Sequence, residues 1–194
     1  MSVLRFLALL SVLLLAACGG NETTRSVDGA PDDSATGDYY TAANIWYEHP
    51  MRIYSINYHV GTVLHVGTKC HVSSVSRKAI DFETTDGKEF RMLIPGHGHQ
   101  SHTDMRELFK YYFSKKNEMG PGGKFEHFTK MEQQAVRGAV IMRGMRKEAV
   151  LMAYGYPPSD RTVSLDSNIW VYFHARFVTH AVDFENGRTV NTIY

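Results

Sequence analysis

Short runs of β-branched and aromatic residues, alternating with polar ones and separated by turn formers, fill the chain from Tyr39 to Ile94. Runs at 45–48, 52–56, 62–66, 70–72, 78–83 and 89–94 each fit a strand. Between the last two, Thr85-Asp86-Gly87-Lys88 reads as a hairpin turn, because a glycine takes positive φ without steric cost. Several short strands in about 55 residues predict a small β-rich domain over 39–95, in the style of an SH3-like barrel.

The period changes after Pro95. The loop Gly96-His97-Gly98-His99-Gln100-Ser101-His102 leads into a segment, 103–113, in which Met105, Leu108, Phe109 and Tyr112 recur at helical spacing. Ser101 or Thr103 is the expected cap. Gly120-Pro121-Gly122-Gly123 is a run of breakers, so 96–124 reads as a His/Gly loop followed by a connecting helix. Phe128 to Val140 has a helical apolar pattern with a break near Gly138. A second short helix, 146–154, is stopped by Gly155, with Pro157 and Pro158 just beyond. Strands follow at 169–174, 176–184 and 189–193, the last two joined by the hairpin signal Asn186-Gly187. Residues 125–194 are therefore expected to form two helices on a three-stranded antiparallel sheet, and the fold class is α+β.

The N-terminus follows a different rule. Val3 to Ala17 is almost unbroken apolar sequence behind one cation, Arg5, the layout of a secretory signal peptide over 1–17. It is shorter than the about 20 residues a transmembrane helix needs. Its end, Leu15-Ala16-Ala17-Cys18, resembles the lipobox of bacterial lipoproteins, which implies cleavage before Cys18 and covalent lipid on that residue. Gly19 rather than Asp after the cysteine is similar to the outer-membrane default of enterobacterial lipoproteins. Residues 18–38 lack apolar periodicity and are rich in Gly, Ser, Thr, Asp and Asn, as expected of a flexible tether. About 20 such residues span roughly 25 Å, enough to clear lipid headgroups.

Charge and cysteine content narrow the function. The chain has 21 basic and 20 acidic residues, and loss of Arg5 with the signal peptide leaves them equal. Such balance argues against a nucleic-acid binder, which would carry a basic stripe. With Cys18 acylated, the second cysteine, Cys70, has no disulfide partner and reads as a buried small apolar residue or as a reactive thiol. No Gly-x-Ser-x-Gly elbow, phosphate loop or His-Glu-x-x-His helix is present, so the expectation is a non-enzymatic protein without a cofactor beyond the lipid. His97, His99 and His102, with Asp104 and His127 as further donors, are the alternative: a periplasmic metal- or small-ligand-binding lipoprotein. Tyr154 and Tyr156 flank a helix end in Tyr154-Gly155-Tyr156-Pro157-Pro158 and are the expected partner surface, since tyrosine is enriched at interface hot spots.

Ile141, Arg143-Gly144-Met145, Glu148, Val150, Gly155, Pro157, Trp170-Val171-Tyr172, Val182-Asp183-Phe184 and Gly187 together resemble the pattern of BamE/SmpA/OmlA-type outer-membrane lipoproteins. The resemblance covers about 129–194, and the β-rich segment ahead of it lies outside. Its structural positions are Gly144 for a tight turn, Met145 buried beside it, Gly155 as a left-handed cap, Pro157, and Trp170 opening the sheet against the helices. It implies a lipid-anchored, periplasm-facing scaffold or accessory subunit of an envelope protein complex, one that inserts β-barrel proteins into the outer membrane.

Overall fold

The computed structural model describes residues 35–95 and 104–193. Residues 1–17, Cys18 and nearly all of the tether lie outside the described residues, as do His97, His99 and His102. The fold is α+β.

The N-terminal half is a curled six-stranded sheet built from β1 (Gly37–Thr41), β3 (Ile53–Tyr54), β5 (Lys69–Val75), β6 (Ala79–Thr84), β7 (Glu89–Leu93) and β8 (Phe113–Ser114), in the order β3-β7-β6-β5-β1-β8. The expected barrel thus takes the form of an open sheet with β3 and β8 at its edges. Alternation decides which face is buried: Cys70, Val72 and Val75 of β5 point inward while Lys69, His71 and Ser73 are exposed. Phe90 and Met92 of β7 follow the same rule. A separate two-stranded ladder joins β2 (Ile45–Tyr47) to β4 (Thr62–Leu64).

Strand β1 begins at Gly37, two residues ahead of the 39–95 segment read from the pattern, because its first residues are polar and carry no apolar signal. Helix α1 (Met105–Tyr112) buries Met105 and Tyr112, and Tyr112 Oη donates to Ser55 O at 2.5 Å. Its cap is Asp104, not Ser101 or Thr103: the Asp104 carboxylate accepts from Arg106 N at 2.9 Å. An acidic cap also suits the positive end of the helix dipole.

In the C-terminal half, α2 (Lys130–Gly138) and α3 (Lys147–Tyr154) pack on a meander of β9 (Ile169–Ala175), β10 (Val178–Glu185) and β11 (Arg188–Ile193). Thr129 and Glu132 close a capping box at the start of α2. The break expected near Gly138 falls on Ala139, which takes the left-handed conformation and ends the helix. Gly144 turns at φ +89°, and Met145 is fully buried with its N–H donated to Thr189 Oγ1. Trp170 is fully buried against Phe184. Asn186 and Gly187 both have positive φ, as the two-residue β10–β11 hairpin requires.

Arg146 precedes α3 and offers no side-chain cap of its own. The fully buried Glu132 compensates from α2, accepting Arg146 N at 2.8 Å and its guanidinium at 2.8 and 3.1 Å. One carboxylate therefore serves the starts of two helices. Burial works to raise its pKa, but the bonds from Arg146 and Thr129 outweigh that and hold it at about 2.

Candidate functional site: a groove between the two halves

The two halves share a core. Trp46 and Val66 of the β-rich half lie in the same buried cluster as Phe125, Val136, Met145 and Trp170. Three buried polar side chains then satisfy the carbonyls that the ends of α2 and α3 leave open. Asn44 donates to Val136 O and Ala153 O, both at 2.8 Å, and accepts Val66 N at 2.8 Å. Asn57 accepts Trp46 N at 3.0 Å and donates to Tyr154 O at 3.3 Å. His59 places Nδ1 2.9 Å from Phe173 O and Nε2 2.8 Å from Tyr154 O. The C-terminus of α3 is thus capped by the other half of the chain.

This junction positions an open groove of about 1020 Å³ on its outer side. Its floor is a run of edge-to-face rings: Tyr54 to Tyr58 at 6.0 Å, then Tyr58 to Phe173 at 5.8 Å between centroids. Trp46 and Tyr47 extend the floor on the β2 side. Three arginines from separate segments line the groove: Arg52 before β3, Arg161 after α3, and Arg176 in the β9–β10 turn. Arg161 lies over Phe173 at 5.4 Å and Arg176 over Phe177 at 5.3 Å. Phe177, at the tip of that turn, is 87 % exposed. The groove wall contains one carboxylate, Glu48, and one imidazole, His49. Desolvation raises the Tyr58 phenol above its usual pKa, with Arg176 working against it.

A second cavity, about 260 Å³, opens beside the loop after α3. Tyr156 lines it, stacked on Tyr111 with centroids 4.3 Å apart. Tyr154 is different: it is 6 % exposed, covered by the His59 ring on one face, and so cannot present a surface to a partner in this fold. The expectation that it is exposed fails because the β-rich half covers the helix end. Gly155 has φ +81° and ψ −175°, an extended conformation open to glycine rather than a left-handed helical cap. Pro157 is buried in the loop that follows.

Cys70 is 1 % exposed, with Sγ 3.7 Å from Tyr39 O, and burial pushes its thiol up to about 12. A thiol so held is not a nucleophile at neutral pH. Among the described residues no group of three or more His, Cys, Asp or Glu side chains is placed to hold a metal ion, and His127 is exposed at the end of a single 3-10 turn. No helix among the described residues is long and apolar enough to cross a membrane.

No family model matches this chain, and comparisons with curated proteins and with solved structures likewise return no significant match. The functional reading therefore stands on the residues themselves. Arg52, Arg161 and Arg176 carry no joint signal in the sequence, where Arg52 and Arg176 open the expected strands at 52–56 and 176–184 and all three stand far apart. The signal that marks them in space is their convergence on one aromatic floor.

Proposed function

We propose that this protein is a non-enzymatic lipoprotein of the bacterial outer membrane, anchored by lipid on Cys18 and facing the periplasm. It serves as a scaffold or accessory subunit of a cell-envelope protein complex, with β-barrel assembly as the complex that the C-terminal resemblance implies. The groove carries this reading. Tyrosine, tryptophan and arginine are the residues that dominate binding energy at protein interfaces, and here they line one concavity with an exposed phenylalanine at its rim. The buried polar junction supports the reading as well, since it fixes the two walls that a partner must contact together.

The test is affinity purification of the lipidated protein from detergent-solubilised membranes, beside a Phe177→Ser variant. One envelope partner should copurify with the wild type and be depleted about ten-fold with the variant. Recovery of the protein alone in both cases would overturn the reading.

A further inference from the structure

The groove has a charge character that the chain as a whole lacks. The full sequence is nearly balanced, with 21 basic and 20 acidic residues, yet the groove wall holds three arginines against one glutamate. Neither Arg52 nor Arg176 makes an ion pair among the described residues, and Arg161 meets Asp160 only at 3.7 Å. Arg52 and Arg176 are therefore free of ion pairs among the described residues, and Arg161 keeps only this long one. A guanidinium presents a planar fork of donors that matches a carboxylate two bonds at a time. All three arginines are exposed at the groove wall, so their pairing with carboxylates contributes specificity and encounter rate more than raw affinity, and the aromatic floor adds contact area.

The shape selects among anionic ligands. At about 1020 Å³ the groove is at or beyond the upper limit of clefts that enclose a small molecule, roughly 300–1000 Å³. It is concave, whereas a flat bilayer surface would contact only its rim. The half-buried rings of Tyr54 and Tyr58, packed edge-to-face with Phe173 beneath, offer an apolar floor that suits apolar or aromatic side chains, which a free phosphate or a simple dicarboxylate does not bring.

We infer that the groove binds an extended, carboxylate-bearing segment of a partner protein, its acidic side chains paired with Arg52, Arg161 and Arg176 and its apolar or aromatic side chains seated on the Tyr54–Tyr58–Phe173 floor. This rests on the scaffold reading and adds the chemistry of the partner. Electrostatic complementarity of this kind sets specificity and speeds encounter, so the interaction weakens with salt.

The experiment uses the full chain in detergent and three probes: a labelled glutamate–tyrosine random copolymer, labelled poly-glutamate, and vesicles containing phosphatidylglycerol. Binding is read by fluorescence anisotropy for the polymers and by cosedimentation for the vesicles. The copolymer is expected to bind about ten-fold more tightly than poly-glutamate, and binding should fall at least about ten-fold in Arg52→Glu/Arg176→Glu. Arg52→Lys/Arg176→Lys, which keeps the charge and the fold but loses the fork, should give a smaller loss. Circular dichroism and the thermal midpoint check that the variants remain folded. Equal copolymer binding by wild type and both double variants would overturn the inference. So would equal binding of poly-glutamate and copolymer, or groove-dependent binding of vesicles alone. If the copolymer fails to bind while a partner still copurifies in a Phe177-dependent way, the partner's chemistry is wrong and the scaffold reading survives. Loss of the copurifying partner removes that reading instead.

Discussion

The imidazole of His59 lies flat on the ring of Tyr154, with centroids 3.6 Å apart and planes 11° from parallel, and both of its nitrogens face backbone carbonyls. A neutral imidazole donates to one of these and sets a lone pair against the other, whereas an imidazolium would donate to both. It also sits at the C-terminal end of α3, where positive charge is favoured. Burial opposes the charged form more strongly than these two carbonyls support it, and the pKa falls to about 4.

Stability should therefore fall in acid with a defined window. The folded-state pKa, about 4, lies below the unfolded value of 6.5, so the unfolded chain takes up the proton first. The contribution is fully present above pH 6.5 and is lost as pH falls towards 4, by about 3 kcal/mol. Urea denaturation at pH 7.5, 5.5 and 4 measures it. In His59→Gln the slope between pH 7.5 and 5.5 should flatten while stability at pH 7.5 drops; an unchanged slope would place the acid sensitivity elsewhere.

Glu132 supplies a second, separate acid step. Its pKa is held at about 2 against an ordinary 4.5, so its contribution is present above pH 4.5 and is lost as pH falls from 4.5 towards 2. Glu132→Ala removes the capping box and leaves the Arg146 guanidinium only its hydrogen bond to His127 O, at a cost of about 3 kcal/mol. Glu132→Gln keeps a capping side chain and should cost less, about 1–2 kcal/mol. Equal losses in the two variants, read from denaturation midpoints at pH 7.5, would mean that the charge rather than the cap matters.

Two glycines at positive φ differ in what a side chain would meet: Gly155 adds a ψ of −175°, open to glycine alone, to close neighbours. A Cβ on Gly155 would stand 2.5 Å from Asn57 Nδ2, an atom held by its bond to Tyr154 O. A Cβ on Gly187, at φ +73°, would meet nothing within 4 Å. Gly187→Ala should cost about 1 kcal/mol, the strain alone. Gly155→Ala should cost about 3 kcal/mol, because the junction must also open. Comparable thermal midpoints for the two variants would show that Asn57 yields freely.

Local features of the fold are legible in the sequence alone. The strand at 70–72, the Asn186-Gly187 hairpin and the stop at Gly155 are each set by residues a few positions apart, so pattern and turn chemistry suffice. Strand β1 escaped because its ladder partners, not its own Gly37 and Asp38, make it a strand. The junction escaped for a stronger reason: Asn44 reaches Val136 across 92 residues and His59 reaches Phe173 across 114, and nothing local to Asn44 or His59 announces a helix end. The same distance explains Tyr154, which reads as exposed from its helix-end position and is covered by a ring from the other half. The groove was not legible, because Tyr54 and Phe173 read as residues of separate strands and its arginines take their meaning from where three loops converge.

Cys18→Ser tests the anchor independently of all this. Among the described residues, which start at residue 35, the two buried clusters close on one another without Cys18, so the variant should keep the wild-type thermal midpoint. It should also bind the glutamate–tyrosine copolymer as tightly as the wild type, because the groove is untouched. On the proposed anchoring, what it loses is confinement: a lipid-linked tether of about 20 residues would hold the groove within reach of membrane-bound partners at an effective concentration on the order of millimolar, and release would replace that with the dilute soluble value. Fractionation should move the protein from the membrane pellet to the soluble fraction, and the partner recovered from membranes should fall with it. Undiminished partner recovery by the soluble variant would show that groove affinity alone suffices and that the lipid is dispensable.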